Sequence, residues 1–205
     1  MPSTIEFFYD LSSPWTRMAF RNIQPIAAEA GATIIWRPFL VGGVFNSVNP
    51  AVYAGREKGD TVKSRPTSIW LREWAQLAGV AMNFPSEYHP LKSVAAMRFC
   101  CALEHDQTQL AHFSEAAFEA YFADQRNLDD IAVLFDVANA CGLDGTGLAT
   151  QAQTDPIKQA LRNNTQEAID RGAFGSPTMF IDREHMYFGN DQMPLVRQRL
   201  QQGAG

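Results

Sequence analysis

Cysteine is scarce in this chain, which has three among 205 residues: Cys100, Cys101 and Cys141. An odd number of cysteines in apolar stretches makes a poor disulfide framework. The sequence therefore predicts buried free thiols. Since 46% of the residues are hydrophobic, the chain has enough apolar side chains to form a sizeable core, and disorder is excluded.

Positive charge and long apolar runs are also lacking. Lys and Arg number 17 against 22 Asp and Glu, and no basic cluster offers a surface to phosphates. We therefore expect no nucleic acid and no membrane as partner, and a small molecule as substrate. No apolar run approaches the roughly 20 residues of a spanning helix and no secretory signal opens the chain, which predicts a cytoplasmic protein. The histidines show no metal-ligand spacing, so no metal site is expected.

The first 41 residues predict a strand, a helix and a second, parallel strand. Thr4–Asp10 is rich in β-branched and aromatic residues, as buried strands are. Pro14 after a serine is typical of a helix start, and Gly31 of a helix end. Thr33–Val41 is again apolar. The link between the two strands has room only for the helix, so the strands should be parallel.

The middle of the chain is rich in alanine and has helical apolar spacing. After it the strand pattern returns in Thr178–Asp182 and His185–Phe188, and a last helix follows. All the strands can share one sheet only if the helical block is an insertion. The sequence therefore predicts an α/β fold with a discontinuous βαβ…ββα domain, residues 1–43 and 172–205, and an inserted all-helical domain, residues 44–171.

The segment Ser13-Pro14-Trp15-Thr16 lies where the first strand meets the first helix. A thioredoxin-like fold has its Cys-x-x-Cys pair at this junction, where the helix N-terminus lowers the pKa of a thiol. Here hydroxyls replace both thiols, so the protein has no dithiol redox chemistry of its own at this place. The alternative is that Ser13-Pro14 is only a helix cap.

Two later segments would face this junction in such a fold. Ser176-Pro177 precedes the third strand, where thioredoxin-like proteins have a cis-proline. The residue before that proline exposes an N–H and a C=O that can pair with an extended peptide. Asn190-Asp191 can cap the last helix or help to recognise a zwitterionic amino-acid head. A plain loop proline and a simple cap are the alternatives.

Several motifs, in order over nearly the whole chain, carry a family resemblance. They are Phe7-Phe-Tyr-Asp-Leu-Ser-Ser-Pro14 with Trp15, Phe39-Leu-Val-Gly-Gly-Val-Phe45, Ala95-Ala-Met-Arg98, Gly172-Ala-Phe-Gly-Ser-Pro-Thr178 and Phe188-Gly-Asn-Asp191. The sequence resembles the 2-hydroxychromene-2-carboxylate isomerases and is similar to the kappa-class glutathione transferases, both within the DsbA-like thioredoxin superfamily. The resemblance implies a thioredoxin-like fold with a large helical insertion, glutathione as the cofactor, and a homodimer.

The resemblance also implies roles for individual residues. Ser13 would be the catalytic residue, because its hydroxyl would hydrogen-bond the sulfur of glutathione. Ser176, beside Pro177, would pair with the peptide backbone of glutathione. Asn190 and Asp191 would bind the γ-glutamyl group. Lys63 lies where relatives often carry a lysine near glutathione.

On the side of the second substrate, the resemblance implies contacts from Trp15, Asn49, Lys92 and Arg98. The sequence departs from the family here: Lys92 replaces a common asparagine, and Pro66 and Trp70 stand where the family has a tyrosine and an aspartate. The natural substrate therefore stays open. Trp70, Trp74 and Leu77 have helical spacing, which predicts core residues unless their helix faces the cleft.

Three functions remain open on the sequence alone. The leading one is a glutathione-dependent isomerase that converts 2-hydroxychromene-2-carboxylate to trans-o-hydroxybenzylidenepyruvate in aromatic catabolism. It would work by reversible addition of a thiolate to an aromatic-derived, unsaturated 2-oxo acid. The second is a kappa-like glutathione transferase, which forms a stable thioether. The third is a thioredoxin-like module that binds glutathione or peptides without catalysis.

Overall fold

The computed structural model describes residues 2–49 and 64–203. Strands β1 (Thr4–Tyr9) and β2 (Thr33–Pro38) flank helix α1 (Pro14–Ala30). The helices α2 to α8 follow, as Val41–Val48, Ser64–Ala78, Val94–Ala102, Gln107–Phe122, Ile131–Ala140, Gly145–Gln151 and Asp155–Asp170. Last come strands β3 (Thr178–Ile181) and β4 (His185–Phe188), a 3-10 turn at Asn190–Gln192, and helix α9 (Met193–Gly203).

In the described part of the chain, the strands form one mixed sheet in the order β2-β1-β3-β4. β1 and β2 are parallel, with Phe7 opposite Trp36, whereas β3 is antiparallel to both β1 and β4. The βαβ and ββα units therefore share one sheet, and helices occupy the chain between them. This confirms the predicted α/β thioredoxin-like architecture with a helical insertion. The division into domains at residues 43/44 and 171/172 stays a prediction.

Helix α1 positions the candidate site because its first turn follows β1 closely. Ser13 caps the helix: its Oγ accepts the N–H of Thr16 at 3.2 Å. Pro14 takes the first helical position, where a missing N–H costs nothing. Gly31 ends the helix in the left-handed region with φ 63°. Both predicted ends of the helix are confirmed.

Two local predictions differ from the structure. β2 ends at Pro38 instead of Val41, because its partner strand β1 ends at Tyr9, opposite Pro38, and Val41 already begins α2. Trp70 and Leu77 are 55% and 77% exposed, so the prediction that they belong to the core is wrong. Their helix, α3, uses Leu71 and Ala75 for its core contacts, and Trp70 and Leu77 lie off that face.

The sheet is covered by apolar side chains on both faces. Successive residues of β1 alternate between the faces, so Ile5, Phe7 and Tyr9 belong to one cluster and Phe8 to the other. The first cluster also contains Phe20, Trp36 and the buried residues of α4 to α6, and the second contains Phe39, Val44, Ala168, Ala173 and Phe180. Burial on both faces explains why β1 is almost continuously apolar.

The cysteines are free thiols, as the sequence predicts. Cys100 and Cys101 are buried in α4, whereas Cys141 is half-buried. Burial raises the pKa of Cys100 to about 12. It also raises the pKa of Cys101. Both buried thiols are therefore protonated at neutral pH and poor nucleophiles.

Two kinds of feature are absent from residues 2–49 and 64–203. None of the helices there combines the length and the apolar character that a membrane crossing requires. No group of three or more His, Cys, Asp or Glu side chains in these ranges is arranged to hold a metal ion.

Candidate active site

Ser13 is half-buried at the point where β1 leads into α1. Its Oγ accepts the N–H of Thr16 and donates its own proton to the carbonyl oxygen of Ser176, each at 3.2 Å. Because α1 begins at the next residue, the dipole of the helix gives this position a partial positive charge. The hydroxyl therefore lies where an anion is favoured.

Ser176 is joined to Pro177 by a cis peptide bond, as the sequence predicts for this fold. Its Oγ accepts the N–H of Asp10 at 3.0 Å and shares a 2.8 Å hydrogen bond with Thr16 Oγ1. The residue is buried. These bonds fix Ser176 against the end of β1 and the first turn of α1. The structure thus brings the two predicted segments into direct contact.

Asp10 is a buried carboxylate that the sequence analysis missed. One of its oxygens accepts the N–H of Ser12 at 2.9 Å. The other accepts the N–H of Val41 at 2.9 Å and the hydroxyl of Ser93 at 3.1 Å. Burial raises the pKa of Asp10, and these hydrogen bonds oppose the rise in part. A charged residue directly after the apolar run of β1 was the signal that could have revealed it.

A cleft of about 390 Å³, here called the main cleft, opens beside Ser13. Its apolar walls come from Pro14, Trp15, Val41, Phe45, Leu71, Phe84, Phe174, Gly175 and Phe188, and its polar groups from Ser12, Ser13, Asn49, Thr67, Ser68, His89 and Ser176. Trp15 and Asn49, predicted on the substrate side, both line this cleft, and their contact with substrate stays a prediction. His89, which the sequence analysis did not select, has Nδ1 3.4 Å from the Tyr121 hydroxyl. A cleft with large apolar walls and polar groups between them suits a small ligand that has both an aromatic ring and polar substituents.

Two further clefts share lining residues with the main cleft. The lysine cleft, about 310 Å³, is lined by Ser12, Val41, Gly42, Phe45, His89, Pro90, Leu91, Lys92 and Ser93. The tryptophan cleft, about 370 Å³, is lined by Trp15, Trp70, Trp74, Ser176, Phe188, Gly189, Asn190 and Asp191. Lys92 and the predicted γ-glutamyl residues therefore belong to different clefts that both adjoin the main one.

Asn190 and Asp191 contribute to the tryptophan cleft in different ways. Asn190 is buried: its Oδ1 accepts from Asn22 Nδ2 at 2.9 Å, while its own Nδ2 has no hydrogen-bond partner among the described residues. Asp191 is exposed, and its carboxylate accepts from the Gln192 amide at 3.1 Å. The 3-10 turn follows Gly189, which has φ 98°, and no side chain caps that turn. Capping of the last helix, α9, by Asn190 or Asp191 stays a prediction.

The remaining predicted residues lie elsewhere. Lys63 falls outside the described residues. Lys92 is exposed in the lysine cleft, and its backbone N–H donates to Asp129 at 3.1 Å. Arg98 is half-buried in α4 and is not among the lining residues of these three clefts. The structure thus groups the predicted site residues around Ser13 but does not bring Arg98 to them.

The fold and the turn at Ser13 agree with a known family. A family model described as the DSBA-like thioredoxin domain matches residues 4–201. The chain belongs to this family. In this DSBA-like chain the turn at the start of α1 is Ser-Pro-Trp-Thr, with no cysteine, so the site geometry is present without a redox pair.

Relatives of this DSBA-like chain include isomerases and glutathione transferases. It is 25% identical to the 2-hydroxychromene-2-carboxylate isomerase of Pseudomonas putida, with 96% of this chain and 93% of the isomerase covered. It is 24% identical to glutathione S-transferase kappa 1 of Homo sapiens, with 98% and 92% covered. A solved structure of a 2-hydroxychromene-2-carboxylate isomerase superposes with a TM-score of 0.80 at 22% identity, over 97% of this chain and 95% of that one. This last likeness shows the fold.

Proposed function

We propose that this protein is a glutathione-dependent isomerase of the 2-hydroxychromene-2-carboxylate type. The observation that carries the proposal is the Ser13 hydroxyl at the start of α1, hydrogen-bonded to the Ser176 carbonyl and bordering an apolar cleft. Relatives named as this isomerase, matched over nearly their whole length, support it. Because the turn has no thiol, the nucleophilic sulfur has to come from a bound molecule.

The residues present fit glutathione. The backbone of Ser176 offers the N–H and C=O that an extended peptide pairs with. The tryptophan cleft offers an exposed carboxylate at Asp191 and the unpartnered amide nitrogen of Asn190, which suit a zwitterionic head. When bound, glutathione supplies a thiolate that adds reversibly to the double bond conjugated to a 2-oxo group, so that this bond can rotate.

Ser13 couples the binding of the peptide to the binding of the sulfur. Its hydroxyl has one proton, which the free protein donates to the Ser176 carbonyl. The carbonyl has two lone pairs, so it can accept a peptide N–H beside the Ser13 hydroxyl, and turning that proton toward a sulfur anion removes the competing donor. The start of α1 favours the anion further. Each unit by which the thiol pKa falls corresponds to about 1.4 kcal/mol of stabilisation of the thiolate.

The main cleft suits the proposed aromatic-derived 2-oxo acid. Trp15, Phe45 and Phe174 are among its walls, so an aromatic ring would be packed and shielded from water. Lys92 in the adjoining lysine cleft carries the positive charge to hold a substrate carboxylate or a developing enolate. From the family resemblance, Lys63 is proposed to lie near glutathione and to supply a second positive charge for the substrate carboxylate.

A kappa-type transferase is the second candidate, favoured by the relative of that name. Addition without elimination would use the same residues and leave a stable thioether. A module that binds glutathione or peptides without catalysis remains the third candidate, since the Ser176 backbone alone supports it. The proposal also includes a homodimer, which light scattering after size-exclusion chromatography would detect.

The test is turnover of 2-hydroxychromene-2-carboxylate with and without glutathione. We expect turnover only with glutathione and no consumption of thiol. Ser13→Ala should lower the rate about 10- to 100-fold and move the pH profile to higher pH, as a thiol pKa raised by one to two units requires. Ser47→Ala is the control, because Ser47 is exposed in α2 and outside the main cleft.

The other outcomes separate the candidates. Stoichiometric loss of thiol with an electrophile would favour the transferase. Heat of glutathione binding without any turnover would favour the binding module. No calorimetric heat with glutathione would refute both enzyme candidates, and an unchanged rate and pH profile in Ser13→Ala would refute the role of Ser13.

A further inference from the structure

We propose that the tryptophan cleft is a cation site, in which the indole rings of Trp15, Trp70 and Trp74 hold an ammonium group with Asp191 as its counter-charge. The site should accept a fully methylated ammonium as well as a primary one. The proposal rests on the proposed function only in taking the ammonium of glutathione as the natural occupant.

The tryptophans are concentrated in this cleft. The chain has four, and three of them line one space of about 370 Å³, while Trp36 is in the core. Trp70 is 55% exposed although it is a large apolar side chain. Its neighbours Leu71 and Ala75 already supply the core contacts of α3. An exposed indole beside two partly buried ones is a ready binding surface.

Among the described residues that line the cleft, the only charged side chain is the carboxylate of Asp191. Asp191 is exposed there, and the hydrogen bond its carboxylate receives comes from the neutral amide of Gln192. No ion pair joins Asp191 to a Lys, Arg or His of residues 2–49 and 64–203. The faces of indole rings carry negative electrostatic potential and attract cations more strongly than those of other aromatic side chains. One unneutralised carboxylate and three indoles together favour a cation and disfavour an anion.

The way in which indole faces attract cations predicts which ammonium groups the tryptophan cleft accepts. A carboxylate that binds by hydrogen bonds needs N–H donors on its ligand, whereas an indole face responds to charge and tolerates methyl groups. The cleft should therefore admit zwitterionic thiols whose amino group is methylated, a class that a hydrogen-bonding site would reject. Trp70 is the specificity-determining residue, because it is the most accessible of the three indoles.

Tetramethylammonium chloride is the probe, titrated at constant ionic strength against sodium chloride. We expect saturable quenching of tryptophan fluorescence and competition with glutathione in calorimetry. Trp70→Ala should weaken the binding of both ligands about 2- to 30-fold, and Trp70→Phe should weaken it less. Leu77→Ala is the matched control, since Leu77 is exposed on the same helix and outside the cleft.

The results distinguish this proposal from the proposed function. If glutathione binds but tetramethylammonium neither binds nor competes, or Trp70→Ala binds both ligands like the wild type, the cation site is refuted and the proposed function stands. If glutathione does not bind while tetramethylammonium binds and Trp70→Ala weakens it, the cation site stands and the proposed function fails. Circular dichroism confirms that each variant is folded.

Discussion

Two buried carboxylates have contrasting surroundings. Glu6 lies within β1, and Asp10 directly follows the end of this strand. Glu6 is 3% exposed, with guanidinium nitrogens of Arg171 at 2.6 Å, Arg183 at 3.7 Å and Arg37 at 3.9 Å. Asp10 is fully buried and accepts from two backbone N–H groups and one hydroxyl, all neutral. The first carboxylate is surrounded by cations, and the second by neutral dipoles.

The two settings indicate different roles: the ion pairs of Glu6 stabilise the fold, whereas the hydrogen bonds of Asp10 position residues beside the candidate site. The arginines around Glu6 also reach α8, where Arg37 and Arg171 both contact Glu167, and the guanidinium of Arg171 lies 3.8 Å from the centre of the Phe180 ring. This network joins the sheet to the helical part of the chain. The donors around Asp10 belong to Ser12, Val41 and Ser93, and all three residues line the lysine cleft. Asp10 therefore fixes the walls beside Ser13 without placing a cation there.

The largest expected effect follows from Glu6→Gln. The substitution removes the buried carboxylate from the network, but Arg37 and Arg171 keep Glu167 as a partner. We therefore expect a loss of about 3 kcal/mol in the free energy of unfolding, the lower end of the range for breaking a buried ion pair. Urea denaturation followed by circular dichroism measures it. Glu29→Gln, in the exposed pair of Glu29 with Arg197, should cost about 0–1 kcal/mol. Equal losses in the two variants would contradict the structural role assigned to Glu6.

Asp10→Asn should cost less stability and more activity. An amide has one acceptor oxygen, and its NH2 group would face N–H or hydroxyl donors, so we expect a loss of about 1–3 kcal/mol. Because the wall beside Ser13 would shift, the kcat/KM of the proposed isomerase should fall, and glutathione should bind more weakly.

Asp182→Asn is the matched control for Asp10→Asn. Asp182 also accepts a backbone N–H, from Thr4 at 2.8 Å, and a hydroxyl, from Ser3 at 3.0 Å, but it is exposed and outside the three clefts. We expect it to change neither kcat/KM nor glutathione binding. If Asp10→Asn kept wild-type activity and affinity while losing stability, Asp10 would be structural only.

The sequence predicted the features that depend on adjacent residues. The cap at Ser13 and the helix end at Gly31 are set by local backbone chemistry, whereas the cis bond before Pro177 was predicted from the place of this proline in a thioredoxin-like fold. The setting of Asp10 was not predictable in this way, because its partners Val41 and Ser93 are 31 and 83 residues away. Tertiary packing brings those donors together.

The orientation of α3 beside the tryptophan cleft was likewise not predictable from the sequence. Helical spacing places Trp70, Trp74 and Leu77 on one side of α3, but the period does not tell whether that side meets the core or a cleft. Leu71 and Ala75 are the buried core residues of α3, and Trp74 packs against their cluster while only partly buried. A large apolar side chain can lie either in a core or in a cleft, so the residue types alone do not distinguish the two. The packing of α3 against α1 determines which side of α3 faces the core.

The smallest expected effect is a pH dependence that belongs to Asp10 alone. Burial raises the pKa of this carboxyl in the folded state, so between the unfolded and the folded pKa the folded chain binds more protons than the unfolded one. The contribution of Asp10 to stability is therefore fully present below its unfolded pKa and is lost as pH rises through its folded pKa. Urea denaturation of the wild type and Asp10→Asn from pH 3.5 to 7 isolates it: the free energy of unfolding of the wild type should fall relative to that of the variant as pH rises. A relative rise with pH would mean that the three neutral donors stabilise the charged carboxylate more than burial penalises it, and the contrast with the cation-bound Glu6 would then lose its electrostatic basis.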